Sequence, residues 1–218
     1  FDPPIRIGYT IAYPGIGTYN VMMIDSNLCG RDTAYITVKI VAPPIAAMSG
    51  PDTVCAGSVA TFNNLSTGGA NQYSWNFGAG GGWINTGNGS QSYTYATSGN
   101  FIVKLAINVA GGTSSCRDTV QKNIVVLAKP NALFTINNAN GCDSVLVAFN
   151  NSSSGANIVS YFWTFGNAQT SILKNPPPML YTTSGTYIIK LVVTNAQGCT
   201  HSNSKTVRVY KTPVANFT

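Results

Sequence analysis

The sequence contains no glutamate. Its acids are six aspartates, Asp2, Asp25, Asp32, Asp52, Asp118 and Asp143, and its one histidine is His201. That shortage removes most acid–base chemistry. A catalytic carboxylate pair would have to be two aspartates, and these are scattered through turn-like stretches. His201 has no acid or nucleophile beside it in sequence and reads as an exposed strand residue, not as the base of a triad. Lysine and arginine total 12 but form no run, so the net charge of +6 reflects few acids and not a basic patch. Nucleic acid, which needs concentrated positive charge, is therefore not an expected partner, although weak attraction to an acidic polysaccharide fits the charge. No segment approaches the ~18 continuous apolar residues of a membrane span, and no stretch reads as a signal peptide. There is no C-x-x-C, which argues against a zinc site. The glycines at Gly78, Gly80, Gly81 and Gly82 precede no helical pattern, which a phosphate cradle requires. The expectation is a chain without cofactor, metal or catalytic residues.

What is present is repetition. Tyr181 to Asn195 reads YTTSGTYIIKLVVTN, Tyr95 to Val109 reads YATSGNFIVKLAINV, and Tyr13 opens a third copy, YPGIGTYNVMM. Each copy sets a glycine four residues after tyrosine and an aromatic (Tyr19, Phe101, Tyr187) two residues later. Alternating apolar residues follow, which is a strand signal. Trp75-Asn-Phe77-Gly78 matches Trp163-Thr-Phe165-Gly166, and Cys55 and Cys142 each stand seven residues before a phenylalanine, Phe62 and Phe149. An internal period overrides the length prior on domain number. Residues 1–42 read as the C-terminal half of one repeat, 43–129 and 130–212 as complete repeats, and 213–218 as the start of another. The sequence looks like a window on a longer tandem array.

Within the last complete repeat the alternation and turn residues predict strand A at Ala132 to Ile136, B at Ser144 to Asn150 and C at Val159 to Phe165. Short strands follow near Gln169–Leu173 and Met179–Thr182, then F at Thr186 to Asn195 and G at Lys205 to Tyr210. Seven short strands in ~85 residues without helical periodicity indicate an all-β, immunoglobulin-like sandwich, repeated in a linear array. Trp75, Phe77, Trp163 and Phe165 are the expected core, and Tyr95 and Tyr181 sit where a tyrosine corner would lie.

These motifs, Tyr73-x-Trp75-x-Phe77-Gly78 and Tyr-x-x-x-Gly-x-aromatic before an alternating strand, resemble the PKD repeat over essentially the whole chain. The resemblance implies a β-sandwich that serves surface and secreted proteins as spacer or interaction module. It departs from the family pattern where Asp is frequent around the Phe-Gly corner, since Asn76, Ala79, Thr164 and Asn167 stand there. The cysteine-bearing form with Gly-Cys turns resembles repeats of very large adhesins of gliding and biofilm-forming Bacteroidota, which are similar to cargo of the type IX secretion route.

Five cysteines, Cys29, Cys55, Cys116, Cys142 and Cys199, suggest disulfides of an extracellular chain. Spacing alone suggests pairs within repeats, Cys55–Cys116 and Cys142–Cys199. Topology favours another scheme. Strands B and F run the same way, so the start of B and the end of F are a strand length of ~20 Å apart, beyond the ~7 Å Cα reach of a disulfide. Head-to-tail repeats would instead bring Cys55 to Cys199, with the other three pairing outside this window and the array becoming a stiff rod. Four aspartates head a triplet, at Asp32-Thr33, Asp52-Thr53, Asp118-Thr119 and Asp143-Ser144. The triplet resembles the Asp-Ser/Thr-apolar O-glycosylation acceptor of Bacteroidota, and the competing reading is an aspartate bonding its own turn. The leading functional expectation is the stalk of a large, outer-membrane-attached cell-surface adhesin whose partners are neighbouring repeats. The alternatives are a polysaccharide-binding module, with exposed Trp83 and Tyr210 stacking on sugars, and an accessory region of a secreted hydrolase.

Overall fold

The computed structural model describes residues 10–109, 116–155 and 157–217. Among the described residues every element of two or more residues is a β-strand. The hairpin of β1 (Gly17–Asn27) and β2 (Gly30–Ile40) pairs antiparallel from Gly17↔Ile40 to Asn27↔Gly30. Then come β3 (Met48–Ser49), β4 (Thr53–Cys55), β5 (Val59–Asn64), β6 (Gln72–Asn76), β7 (Ile84–Thr86), β8 (Gln91–Thr94), β9 (Gly99–Asn108) and β10 (Arg117–Leu127). They form a sheet in the order β4-β10-β9-β6-β7 and a second sheet in the order β3-β5-β8.

The same order recurs. After β11 (Phe134–Ile136), β12 (Asn140–Cys142), β13 (Val145–Val147), β14 (Phe149–Asn151) and β15 (Ile158–Thr164) come β16 (Thr170–Ser171), β17 (Met179–Tyr181), β18 (Gly185–Asn195) and β19 (Thr200–Tyr210). One sheet runs β12-β19-β18-β15-β16, and β11-β14 and β13-β17 pair separately. This is a tandem, all-β, immunoglobulin-like architecture with open sheets. Packing divides the chain into two compact units. One comprises Phe1–Ser49, Phe62–Gln91 and Val103–Lys122, and the other Gly50–Thr61, Ser92–Ile102 and Asn123–Thr218.

In the first unit Trp75 and Phe77 stack at 6.1 Å and 7°, with Phe62 tilted against both. In the second, Trp163 and Phe165 repeat that geometry at 6.2 Å and 6°, and Phe149 takes the place of Phe62. The Trp-x-Phe spacing produces this because residues two apart share a face of a strand. Around Trp163 gather Phe134, Val147, Ile189, Leu191, Val193 and Val207, all fully buried. Each large apolar side chain so buried contributes ~1.5–3 kcal/mol. The glycine that ends Trp-x-Phe-Gly is required at Gly166. Its φ is +77°, and a Cβ there would lie 2.8 Å from the backbone nitrogen of Ile188.

Three features depart from the sequence reading. Strand B of the last repeat is two pieces, β13 and β14, because the side-chain oxygen of Asn137 takes the N–H of Ala148 between them (2.8 Å). Strand G begins at Thr200 and not at Lys205, with Thr194↔Thr200 opening its ladder to β18. The strands β4 and β12 were not foreseen. Each adds three residues parallel to the last strand of its sheet, pairing Leu127↔Cys55 and Tyr210↔Cys142.

Candidate functional site

Both β4 and β12 put a cysteine on a sheet edge. The N–H after each cysteine continues the ladder, from Ala56 to the Leu127 carbonyl (2.9 Å) and from Asp143 to the Tyr210 carbonyl (2.7 Å). Within the second compact unit, Cys55 is joined by a disulfide to Cys199, with Cα atoms 5.6 Å apart and a sequence separation of 144. That Cα distance is ordinary for a disulfide. Neither pairing inside a repeat is present. Cys29 and Cys142 are exposed free thiols, and Cys116 is half-buried and outside the bond.

Asn195 prepares the Cys199 end. It closes β18, is 4 % exposed, and is the buried polar residue among the described ones. Its side-chain oxygen accepts the Cys199 N–H (2.9 Å) and its amide donates to the Ala128 carbonyl (2.9 Å). Its backbone N–H bonds the Cys199 carbonyl (3.0 Å), and the Ala196 N–H bonds the Asn157 carbonyl (2.8 Å). One side chain thus holds both the cysteine and the segment that follows β10. A buried amide satisfied on both its atoms fixes geometry, because leaving either unpaired would be costly. Sequence reasoning missed Asn195. The available signal was that all three F-type strands end on asparagine, at Asn27, Asn108 and Asn195.

His201 is half-buried and not an exposed strand residue, which corrects the sequence reading. Its Nδ1 accepts the Ala132 N–H (2.9 Å), and Asn203 donates to the Ala132 carbonyl (3.3 Å). In the first unit Asp118 does the same work, accepting the Ala46 N–H (2.8 Å). Asp118 and His201 each stand two residues after a cysteine, so both are acceptors that pin strand A to strand G. The backbone N–H groups of Ala46 and Thr119 hold the Asp118 carboxyl below its usual pKa.

All six expected core residues, Trp75, Phe77, Tyr95, Trp163, Phe165 and Tyr181, are buried. Tyr181 donates its hydroxyl to the Phe165 carbonyl (2.9 Å). Burial pushes the phenol of Tyr95 and that of Tyr181 up to about 12. Of the triplet hydroxyls, those of Thr53, Thr119 and Ser144 lie on exposed residues and that of Thr33 on a half-buried one. Asp32 and Asp118 accept the N–H of the next residue (2.8 and 2.7 Å). Trp83 is 49 % exposed and Tyr210 51 %. Trp83 stands in the first unit beside a cleft of about 610 Å³ whose lining includes Asn71, Tyr73, Asn85, Asn108 and Arg117. Among the described residues no three His, Cys, Asp or Glu side chains gather where a metal could bind, and no helix is long and apolar enough to cross a membrane.

The family model for the PKD domain matches residues 41–124 and 127–210. The chain belongs to the PKD domain family. The Cys55–Cys199 bond therefore joins a residue of the first PKD match to one of the second. The pre-pro-metalloprotease PrtV of Vibrio cholerae is 41% identical over 66 residues, which is 30% of this chain and 7% of that protein. The chain thus spans a small part of the curated relatives it matches. Among solved structures, the PKD1 domain of the same Vibrio cholerae protease is 37% identical with a TM-score of 0.33, covering 38% of this chain and 98% of that one. The PKD1 domain of Vibrio anguillarum Epp is 32% identical with a TM-score of 0.33, covering 38% and 96%. PKD domains are non-catalytic modules of extracellular and secreted proteins.

Proposed function

We propose that this chain is a load-bearing spacer in the stalk of a large cell-surface adhesin, of the kind that gliding and biofilm-forming Bacteroidota export by the type IX route and hold at the outer membrane. Its nearest partners are further repeats of the same kind. The observation that carries the reading is the Cys55–Cys199 bond. Tension applied at the two ends follows the covalent chain to Cys55, crosses the bond, and continues from Cys199. The 144-residue separation between them bears no load. At ~3.3–3.6 Å per extended residue, that withholds roughly 480–520 Å of chain from extension. Pulling single molecules by their ends should release that length only after reductant is added. Release of the full length without reductant would overturn the proposal.

Two other readings rest on single observations. The half-exposed Trp83 beside a polar cleft supports a polysaccharide-binding module, because an aromatic face next to amide side chains suits a sugar ring. Loss of glycan-array binding in Trp83→Ala would support it. The similarity to a Vibrio metalloprotease supports an accessory region of a secreted hydrolase, which the flanking sequence would decide. For the triplet residues Thr33, Thr53, Thr119 and Ser144 the proposal of O-glycosylation is tested by the intact mass of protein from its native host.

A further inference from the structure

The joint at Cys55 has a counterpart at Cys142, and the counterpart is open. Cys142 faces Tyr210 in the parallel ladder as Cys55 faces Leu127. In the segment after each ladder Lys211 takes the place of Ala128, whose carbonyl Asn195 grips, and Pro213 takes the place of Pro130. A clasp orders this segment. Asp143 accepts the Thr212 N–H (3.0 Å) and, at its other oxygen, the Thr212 hydroxyl. Cys55 in this setting is bonded, while Cys142 is an exposed thiol.

The complementary half is also on the chain. At the tip of the β1–β2 hairpin the side-chain oxygen of Asn27 accepts the Cys29 N–H (2.8 Å), as that of Asn195 accepts the Cys199 N–H (2.9 Å). In Asn195 the other amide atom reaches out to a neighbouring carbonyl. The Asn27 amide nitrogen has the chemistry to do the same.

We infer that the β12 edge with Cys142 and the Lys211 segment is a docking site for an asparagine-and-cysteine-tipped hairpin of another PKD repeat, for which the Cys29 hairpin of a second copy is the available occupant. The inference rests on the spacer reading and gives it a rule for extension: edge cysteine of one repeat to hairpin cysteine of the next. Such a contact is heterologous, so copies add head to tail. With a small-molecule disulfide as oxidant, the Cys142 thiolate attacks oxidised glutathione, forms a mixed disulfide and expels one glutathione. The Cys29 thiolate then displaces the second. One interchain S–S bond replaces that of the oxidant, whose two sulfurs leave as thiols with the two electrons and the protons.

The test holds the whole chain in a buffer of reduced and oxidised glutathione, with non-reducing electrophoresis and peptide mapping. The expected result is a ladder of linked chains whose linking peptides contain Cys29 and Cys142, with Cys55–Cys199 intact throughout. Cys142→Ser and Cys29→Ser should each remove the ladder, and Asn27→Ala should lower its yield several-fold. Cys142→Ser combined with Ser144→Cys places a thiol two residues away and should not restore it. Glutathione adducts without Cys29–Cys142 peptides, predominant Cys29–Cys29 or Cys142–Cys142 links, or a ladder restored by the displaced thiol would each overturn the inference. An intact Cys55–Cys199 peptide in those same samples would leave the spacer reading standing.

Discussion

The β1–β2 and β18–β19 hairpins are built from the same sequence signal and differ in what covers them. Each strand is 11 residues long, and each hairpin is in continuous antiparallel register. The leading tyrosine packs on the aromatic six residues later in both, Tyr13 on Tyr19 at 4.7 Å and Tyr181 on Tyr187 at 4.5 Å. The second ring of each pair donates its hydroxyl four residues back, Tyr19 to Gly15 (2.9 Å) and Tyr187 to Thr183 (2.8 Å). Yet Ile189, Leu191 and Val193 of β18 are fully buried, while Met23, which matches Leu191, and Ile36 of the first hairpin are largely exposed. The hairpin and its tyrosine lock are therefore local properties of the motif. Burial is not. It requires the strands of the opposing layer, which β11, β13, β14 and β17 supply for β18 and β19.

Mutations can break that comparison. Trp163→Ala, at the centre of the covered side, should cost ~3–5 kcal/mol in denaturant unfolding. Met23→Ala, 65 % exposed at the position that matches buried Leu191, should stay within about 0.5 kcal/mol. Cys55→Ser should cost ~2–4 kcal/mol, since the bond closes a long loop. It should do so without moving the near-ultraviolet signal of the packed tryptophans at low temperature. Asn195→Ala strands the Cys199 N–H and should cost ~1–3 kcal/mol, whereas Asn27→Ala at the exposed equivalent should cost little. Tyr181→Phe should lose ~0.5–1.5 kcal/mol with its bond to Phe165. Its thermal midpoint should also fall less steeply above pH 10. A phenol whose pKa is raised to about 12 on folding contributes stability that is present below its ordinary value of 10.0 and lost between the two.

The smallest effect is acidic. The Thr212 hydroxyl and N–H lower the Asp143 pKa from 3.8, so its contribution is present above that value and lost as pH falls through the folded pKa. Thermal midpoints of wild type and Asp143→Asn should converge below pH 3.8.

The long strands and the aromatic interior were legible in the sequence because they rest on near-neighbour physics. Alternation sets which residues of β18 face inward, and Trp163-x-Phe165-Gly166 carries its own turn. The short edge strands were not legible. Asn140-Gly-Cys142 has no alternation to betray it and becomes a strand only because β19 offers an unpaired edge ~70 residues later in the chain. The same holds for the joint. Two cysteines show that a bond is available, but whether Asn195 binds its own turn or reaches Ala128 depends on tertiary placement. His201 was misread for that reason: the partner of its Nδ1 lies 69 residues away in sequence.

The Cys55–Cys199 bond makes the segment between the two cysteines a closed ring. A protease that cuts once anywhere between Ala56 and Gly198 opens the ring but releases nothing, because both fragments stay tied through the sulfur atoms. In surroundings rich in secreted proteases, such a chain survives its first injury in every loop of that interval, and only a second cut sheds a piece.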